Sequence, residues 1–162
     1  MRPPRARSDW DATFGLGVSD IGLLQDDERP APGGMREVRA PGPVRRVPGL
    51  RPLRPAFGLQ ANGHGARFVY GGLLYEVDLG RGVRIAPSVV GGHHVPLDGR
   101  HLGHPLEVRS GVELSYGLGD GGRLGLMISH MSNGDLSLVN PGQENVFVTW
   151  TVPLGGASAR AR

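Results

Sequence analysis

Residues 106–116 read Leu106-Glu107-Val108-Arg109-Ser110-Gly111-Val112-Glu113-Leu114-Ser115-Tyr116. Even positions carry Leu, Val, Ser, Val, Leu and Tyr; odd positions carry Glu, Arg, Gly, Glu and Ser. Successive side chains of a strand leave opposite faces, so this stretch predicts a β-strand with one greasy face and one charged or small face. The alternation continues on both sides. Leu124, Leu126 and Ile128 alternate with Gly125, Met127 and Ser129, and Val146, Val148, Trp150 and Val152 alternate with Phe147, Thr149 and Thr151. Upstream, Phe14 to Val18, Phe57 to Ala61, Val69 to Leu79 and Val83 to Val89 repeat it. Asn62-Gly63, Gly80-Arg81-Gly82, Asp98-Gly99 and Asp120-Gly121-Gly122 supply turn chemistry between them.

Seven strands follow, and an eighth is expected between residues 22 and 52, at Met35 to Arg39. Prolines 30, 32, 41, 43, 48 and 52 crowd that region, and proline cannot donate to a ladder, so this second strand is expected to be degraded. Short antiparallel strands joined by turns make an all-β, up-and-down barrel. Alternation alone leaves the inward face open. A soluble lipid-binding barrel turns the greasy rows inside; a membrane barrel turns them outside around a narrow polar lumen. The second fits better, because Glu76, Arg84, Glu107, Arg109 and Glu113 share their face with glycines and serines. Opposite charges can pair there, and the glycines leave room.

Composition narrows the classes. The chain has 162 residues, enough for one domain. Glycine (28) and proline (14) form about a quarter of it, which argues against a helical protein. No apolar run approaches the roughly 18 residues of a transmembrane helix. Absence of cysteine removes disulfides, thiol nucleophiles and Cys-based zinc sites. All 18 basic residues are arginine, scattered with few aromatics between them, so no nucleic-acid partner is read. The expected organisation is an N-terminal segment 1–12 with charge but no apolar core of a signal peptide, a barrel domain 13–154, and a disordered basic tail 155–162.

The chemistry concentrates in residues 129–144. His130 and Ser132 leave the same strand face and continue the greasy row of Leu124, Leu126 and Ile128. Glu144 follows the turn Pro141-Gly142 with the parity of Val146, Val148 and Trp150. A hairpin would bring all three to one surface. Serine beside histidine, with a carboxylate to orient the ring, is an arrangement for nucleophilic acyl transfer. Asn133 and the backbone near Gly134 are candidate donors to an oxyanion. Polar groups on a greasy face are costly unless used.

Leu106 to Tyr116, Arg123-Leu124-Gly125-Leu126, His130-Met131-Ser132-Asn133 and Asn140-Pro141-Gly142-Gln143-Glu144 together resemble the lipid A 3-O-deacylase (PagL) family. The resemblance is dense from His104 to Leu154, looser from Phe57 to Gly92 and faint from Phe14 to Ile21. It implies an eight-stranded outer-membrane β-barrel and a serine esterase that removes the 3-O-linked hydroxyacyl chain of lipid A. It places the nucleophile on Ser132, the base on His130, the acid on Glu144 and oxyanion donors on Asn133 and a backbone amide at Gly134 or Asp135. It implies lipopolysaccharide and outer-membrane lipids as partners, no metal and no organic cofactor, and the reading leaves room for a homodimer. The alternative is a non-catalytic small outer-membrane barrel or an inactive family member.

Other features are read more plainly. His93, His94, His101 and His104 fall in what reads as a loop, without zinc-type spacing. They are expected to be solvated, and with Arg100 they offer cationic contacts to lipid A phosphates. Asp26-Asp27-Glu28 reads as a solvated loop. Trp10, Tyr75, Tyr116 and Trp150 suit either a membrane-interface girdle or interior packing.

Overall fold

The structure is a computed structural model that describes residues 10–22, 29–42, 48–50, 52–119 and 121–154. The acidic run at 26–28, the tail 155–162 and most of the N-terminal segment lie outside the described residues. The strands are β1 (Asp11–Ser19), β2 (Ala31–Arg39), β3 (Leu53–Asn62), β4 (Arg67–Tyr75), β5 (Val77–Gly80), β6 (Val83–Val95), β7 (Leu106–Gly117), β8 (Arg123–Ser132) and β9 (Gln143–Pro153). Chain neighbours pair antiparallel except β4 with β5, and two further pairings, β1 with β9 and β4 with β6, close the sheet. The short β5 extends β4: the register that sets Leu74 against Ser88 continues to set Val77 against Ile85. The result is a closed eight-stranded barrel with one interrupted wall.

Two expectations about extent are corrected. The second strand is not degraded. It runs nine residues, from Ala31 to Arg39, and pairs with β1 along its whole length. Pro32 sits near its end, and Pro30 and Pro41 fall just outside it, so the prolines bound the strand without breaking its middle. His93 and His94 belong to β6 and not to a loop. Gly91-Gly92 lies within the strand, and at Gly92 the neighbouring strand approaches closely: a Cβ there would stand 2.1 Å from the Val69 carbonyl oxygen. His93 faces outward and His94 is buried inside.

The greasy rows face outward. Leu114, Leu124, Leu126, Ile128, Val148 and Trp150 are all exposed, while Glu107, Arg109 and Glu113 are buried. Charged and small side chains share the lumen with buried apolar clusters such as Met35, Met127 and Phe147, the arrangement of a barrel whose greasy wall meets lipid. Trp10, Trp150 and Tyr116 are exposed and Tyr75 is half-buried at the rim where β1 starts and β9 ends. That placement is a girdle at one interface.

A chain of ion pairs crosses the lumen. Arg39 bonds Glu37 at 2.8 Å and Glu113 at 2.7 Å. Arg109, fully buried, bonds Gln60 at 2.9 Å and lies 4.1 Å over the Tyr70 ring, whose hydroxyl donates to Glu37 at 3.0 Å. Below them Glu76 takes Arg54 and Arg84, each at 3.2 Å. Gly58, opposite Tyr70, makes the space: a Cβ there would come within 2.5 Å of the phenol.

Arg36 and Arg39 lie three apart on β2, so they point to opposite faces. Arg39→Leu should cost about 3–5 kcal/mol, because it strands buried carboxylates. Arg36→Leu should be neutral or stabilising, because an arginine on a lipid face costs up to about 2–4 kcal/mol. Urea midpoints in lipid vesicles check this; a larger loss for Arg36→Leu would mean the faces are reversed.

Candidate active site

The rim opposite Trp10 and Leu154 carries the described residues 20–22, 29–30, 63–66, 96–105 and 133–142. His130 and Glu144 stand here on adjacent strands and are direct partners in the β8–β9 register. Both have the outward parity of Ile128 and Val146. The His130 Nδ1 lies 2.7 Å from Glu144 Oε1. The histidine side chain is 38% exposed, while that of Glu144 is 6% exposed. A buried carboxylate on Nδ1 fixes the ring and leaves Nε2 as the nitrogen free to face another group.

Ser132 is the last residue of β8, half-buried, with the same outward parity as His130. Among the described residues no hydrogen bond links it to His130. The structure thus brings His130 and Glu144 into contact and sets Ser132 beside them on the same wall.

The segment after Ser132 turns sharply. Gly134 and Asp135 have φ of +61° and +64°. Asn133 precedes them and is completely buried. Its Nδ2 donates to the carbonyls of Leu102 and Val139, both at 2.8 Å. Two carbonyl neighbours fix which end of the amide is nitrogen. Both side-chain protons are therefore committed, and Asn133 anchors the loop instead of holding an N–H out to a ligand. The backbone N–H of Asn133 donates to Asn140 Oδ1 at 3.0 Å, and Asn140 Nδ2 donates to Asp135 at 3.1 Å. The Gly134 amide has no partner among the described residues.

Leu102 and Gly103 escape sequence reasoning. Leu102 drops from 96–105 into the barrel mouth, where it packs on Phe68, Tyr70, Val90 and Met131. It carries its own carbonyl to Asn133. Gly103 (φ +88°) then passes so close to Val139 that a Cβ would clash with its carbonyl. Arg100, 2.8 Å from the buried Asp20, ties this segment to the one after β1. A lone leucine between His101 and Gly103 was the only sequence signal. Among the described residues no group of three or more histidines and carboxylates could hold a metal ion.

The sequence model of the family "Lipid A 3-O-deacylase (PagL)" matches residues 63–153, more than half of the chain and all of this site. The chain belongs to the lipid A 3-O-deacylase (PagL) family. No curated protein sequence matches it. Among solved structures, one described as the outer membrane enzyme PagL has 16% identity and a TM-score of 0.63, covering 89% of this chain and 99% of that one. A de novo designed transmembrane β-barrel has 10% identity and a TM-score of 0.58, covering 91% and 96%. Neisserial surface protein A has 13% identity and a TM-score of 0.54, covering 89% and 95%. At these identities the structures speak for the barrel fold, and the family match speaks for the PagL lineage.

Asn133→Asp sets acceptors against two carbonyls and should loosen residues 133–140 by about 1–3 kcal/mol. Chymotrypsin should then cut near Leu136 and Leu138 faster than in the parent, with the barrel still folded by circular dichroism. Equal resistance of the two proteins would contradict the anchoring role.

Proposed function

We propose that this chain is a lipid A 3-O-deacylase of the outer membrane, a carboxylic ester hydrolase acting through Ser132, His130 and Glu144. The observation that carries the reading is the 2.7 Å contact between His130 and Glu144 on the outward wall, inside the region matched by the family. A site facing lipid suits a substrate that never leaves the bilayer.

Serine hydroxyl is a weak nucleophile and needs a base. With Nδ1 held by Glu144, His130 takes the Ser132 proton on Nε2 as Oγ forms its bond to the ester carbonyl carbon. Glu144 steadies the ring and stabilises the imidazolium. The developing oxyanion is met by the backbone N–H of Gly134, which the Asn133 and Asn140 contacts hold in place. Collapse breaks the bond to the sugar oxygen, which leaves with the proton from His130. Water, deprotonated by the same histidine, then releases the acyl chain and regenerates Ser132. The step uses no cofactor.

Mass spectra of lipid A from cells exporting this chain should show loss of one hydroxyacyl chain. Ser132→Ala should abolish that loss, and Glu144→Gln should slow it by about 10²- to 10⁴-fold, the span general acid–base catalysis covers. Unchanged lipid A around correctly inserted protein would leave the non-catalytic barrel as the reading.

A further inference from the structure

The outward face of β7 is apolar but for one residue. Leu106, Val108, Val112, Leu114 and Tyr116 are exposed, and Ser110 stands exposed among them. A hydroxyl on a lipid-facing wall has little to bond to, so its presence needs a partner. Its position is specific. Ser110 is the direct register partner of His130 on one side of β8, as Glu144 is on the other. Val89 of β6 lies beyond it. Ser110, His130 and Glu144 thus form one row across three strands. Glu144 holds Nδ1 from the β9 strand, and Ser110 stands on the strand at the opposite side of His130.

Ser132 pairs with Val108, so Ser110 is its diagonal neighbour across β7 and β8. Diagonal pairs have Cα atoms about 7–8 Å apart, within reach of a group that bridges them. Ser110 is poorly placed to be attacked through: it lies mid-strand, where ladders with β6 and β8 occupy the neighbouring backbone, and no turn offers free amides. Ser132 ends its strand beside the turn at Gly134.

We propose that Ser110 is a specificity-determining residue, whose hydroxyl hydrogen-bonds the 3-hydroxyl of the acyl chain while its carbonyl carbon lies at Ser132. This rests on the deacylase reading above. The hydroxyl of a 3-hydroxyacyl ester stands two carbons beyond the carbonyl, so one chain laid diagonally from β8 to β7 satisfies both serines. The rest of the chain then runs over the apolar wall of Val89 and Val112. A site built to bond a hydroxyl discriminates against the analogue that lacks it.

The test uses the full chain in lipid–detergent micelles with two synthetic glucosamine esters, a 3-hydroxyacyl ester and its unhydroxylated counterpart. The parent should favour the hydroxylated ester in kcat/KM by about three- to tenfold, the span of one net hydrogen bond. Ser110→Ala should lose that preference by slowing only the hydroxylated ester, and Ser110→Thr should retain it. A parallel loss on both esters, or a preference that survives in Ser110→Ala, overturns this inference alone. Cleavage of neither ester by the folded parent overturns the deacylase reading and this one with it.

Discussion

Arg39 and Arg109 sit in the lumen with their charges answered by Glu37, Glu113 and Glu76 around the first and by Glu37, Gln60 and Tyr70 around the second, and every contact but Arg39–Glu37 comes from another wall. This pairing constrains the rest of the barrel. Side chains alternate at period two, so a one-residue slip of any wall would turn its charges into lipid and its leucines into the lumen. Ion pairs that reach across the interior couple the registers of strands that are not neighbours. The parity of β7 is fixed by Glu107, Arg109 and Glu113 pointing in. The parity of β8 and β9 follows from their ladders with it. His130, Ser132 and Glu144 therefore face outward because the arginines face inward.

The wall supplies position, and the far rim supplies rigidity. Leu102 fills the barrel mouth and offers its carbonyl to Asn133; Asn133 holds Val139; Asn140 holds both the Asn133 amide and Asp135. Four polar contacts and one buried leucine thus pin the turn that follows Ser132. A site assembled on strands, with its one irregular segment braced from beneath, keeps His130, Glu144 and the turn after Ser132 in fixed relation even though its outer side faces lipid.

The outward parity of His130, Ser132 and Glu144 was legible because strand period is an integer: counting by two from Leu124 or Trp150 is enough. The charged lumen was legible from Glu107 to Glu113 for the same reason. β2 was misjudged because its prolines, read as a composition, looked destructive, while their positions at its ends are harmless. His93 and His94 were misplaced because the apolar alternation was followed only to Val89, and the close approach of β4 that explains Gly92 inside the strand is invisible to local pattern. The anchoring role of Asn133 could not be read at all. It depends on a carbonyl 31 residues away, brought close by the descent of Leu102, and no local pattern encodes that meeting. Ser110 was visible as a member of the greasy row, but its significance appeared only when the register set it across from His130.

The claim at the centre is that a lipid-facing wall carries an activated serine. Mapping the covalent adduct of a long-chain fluorophosphonate on the protein inserted in bilayers tests it most directly. The account predicts a single adduct on Ser132, formed in the folded barrel and lost on unfolding in urea. Absence of label on Ser132 in correctly inserted protein, or label on Ser110 in its place, would contradict it.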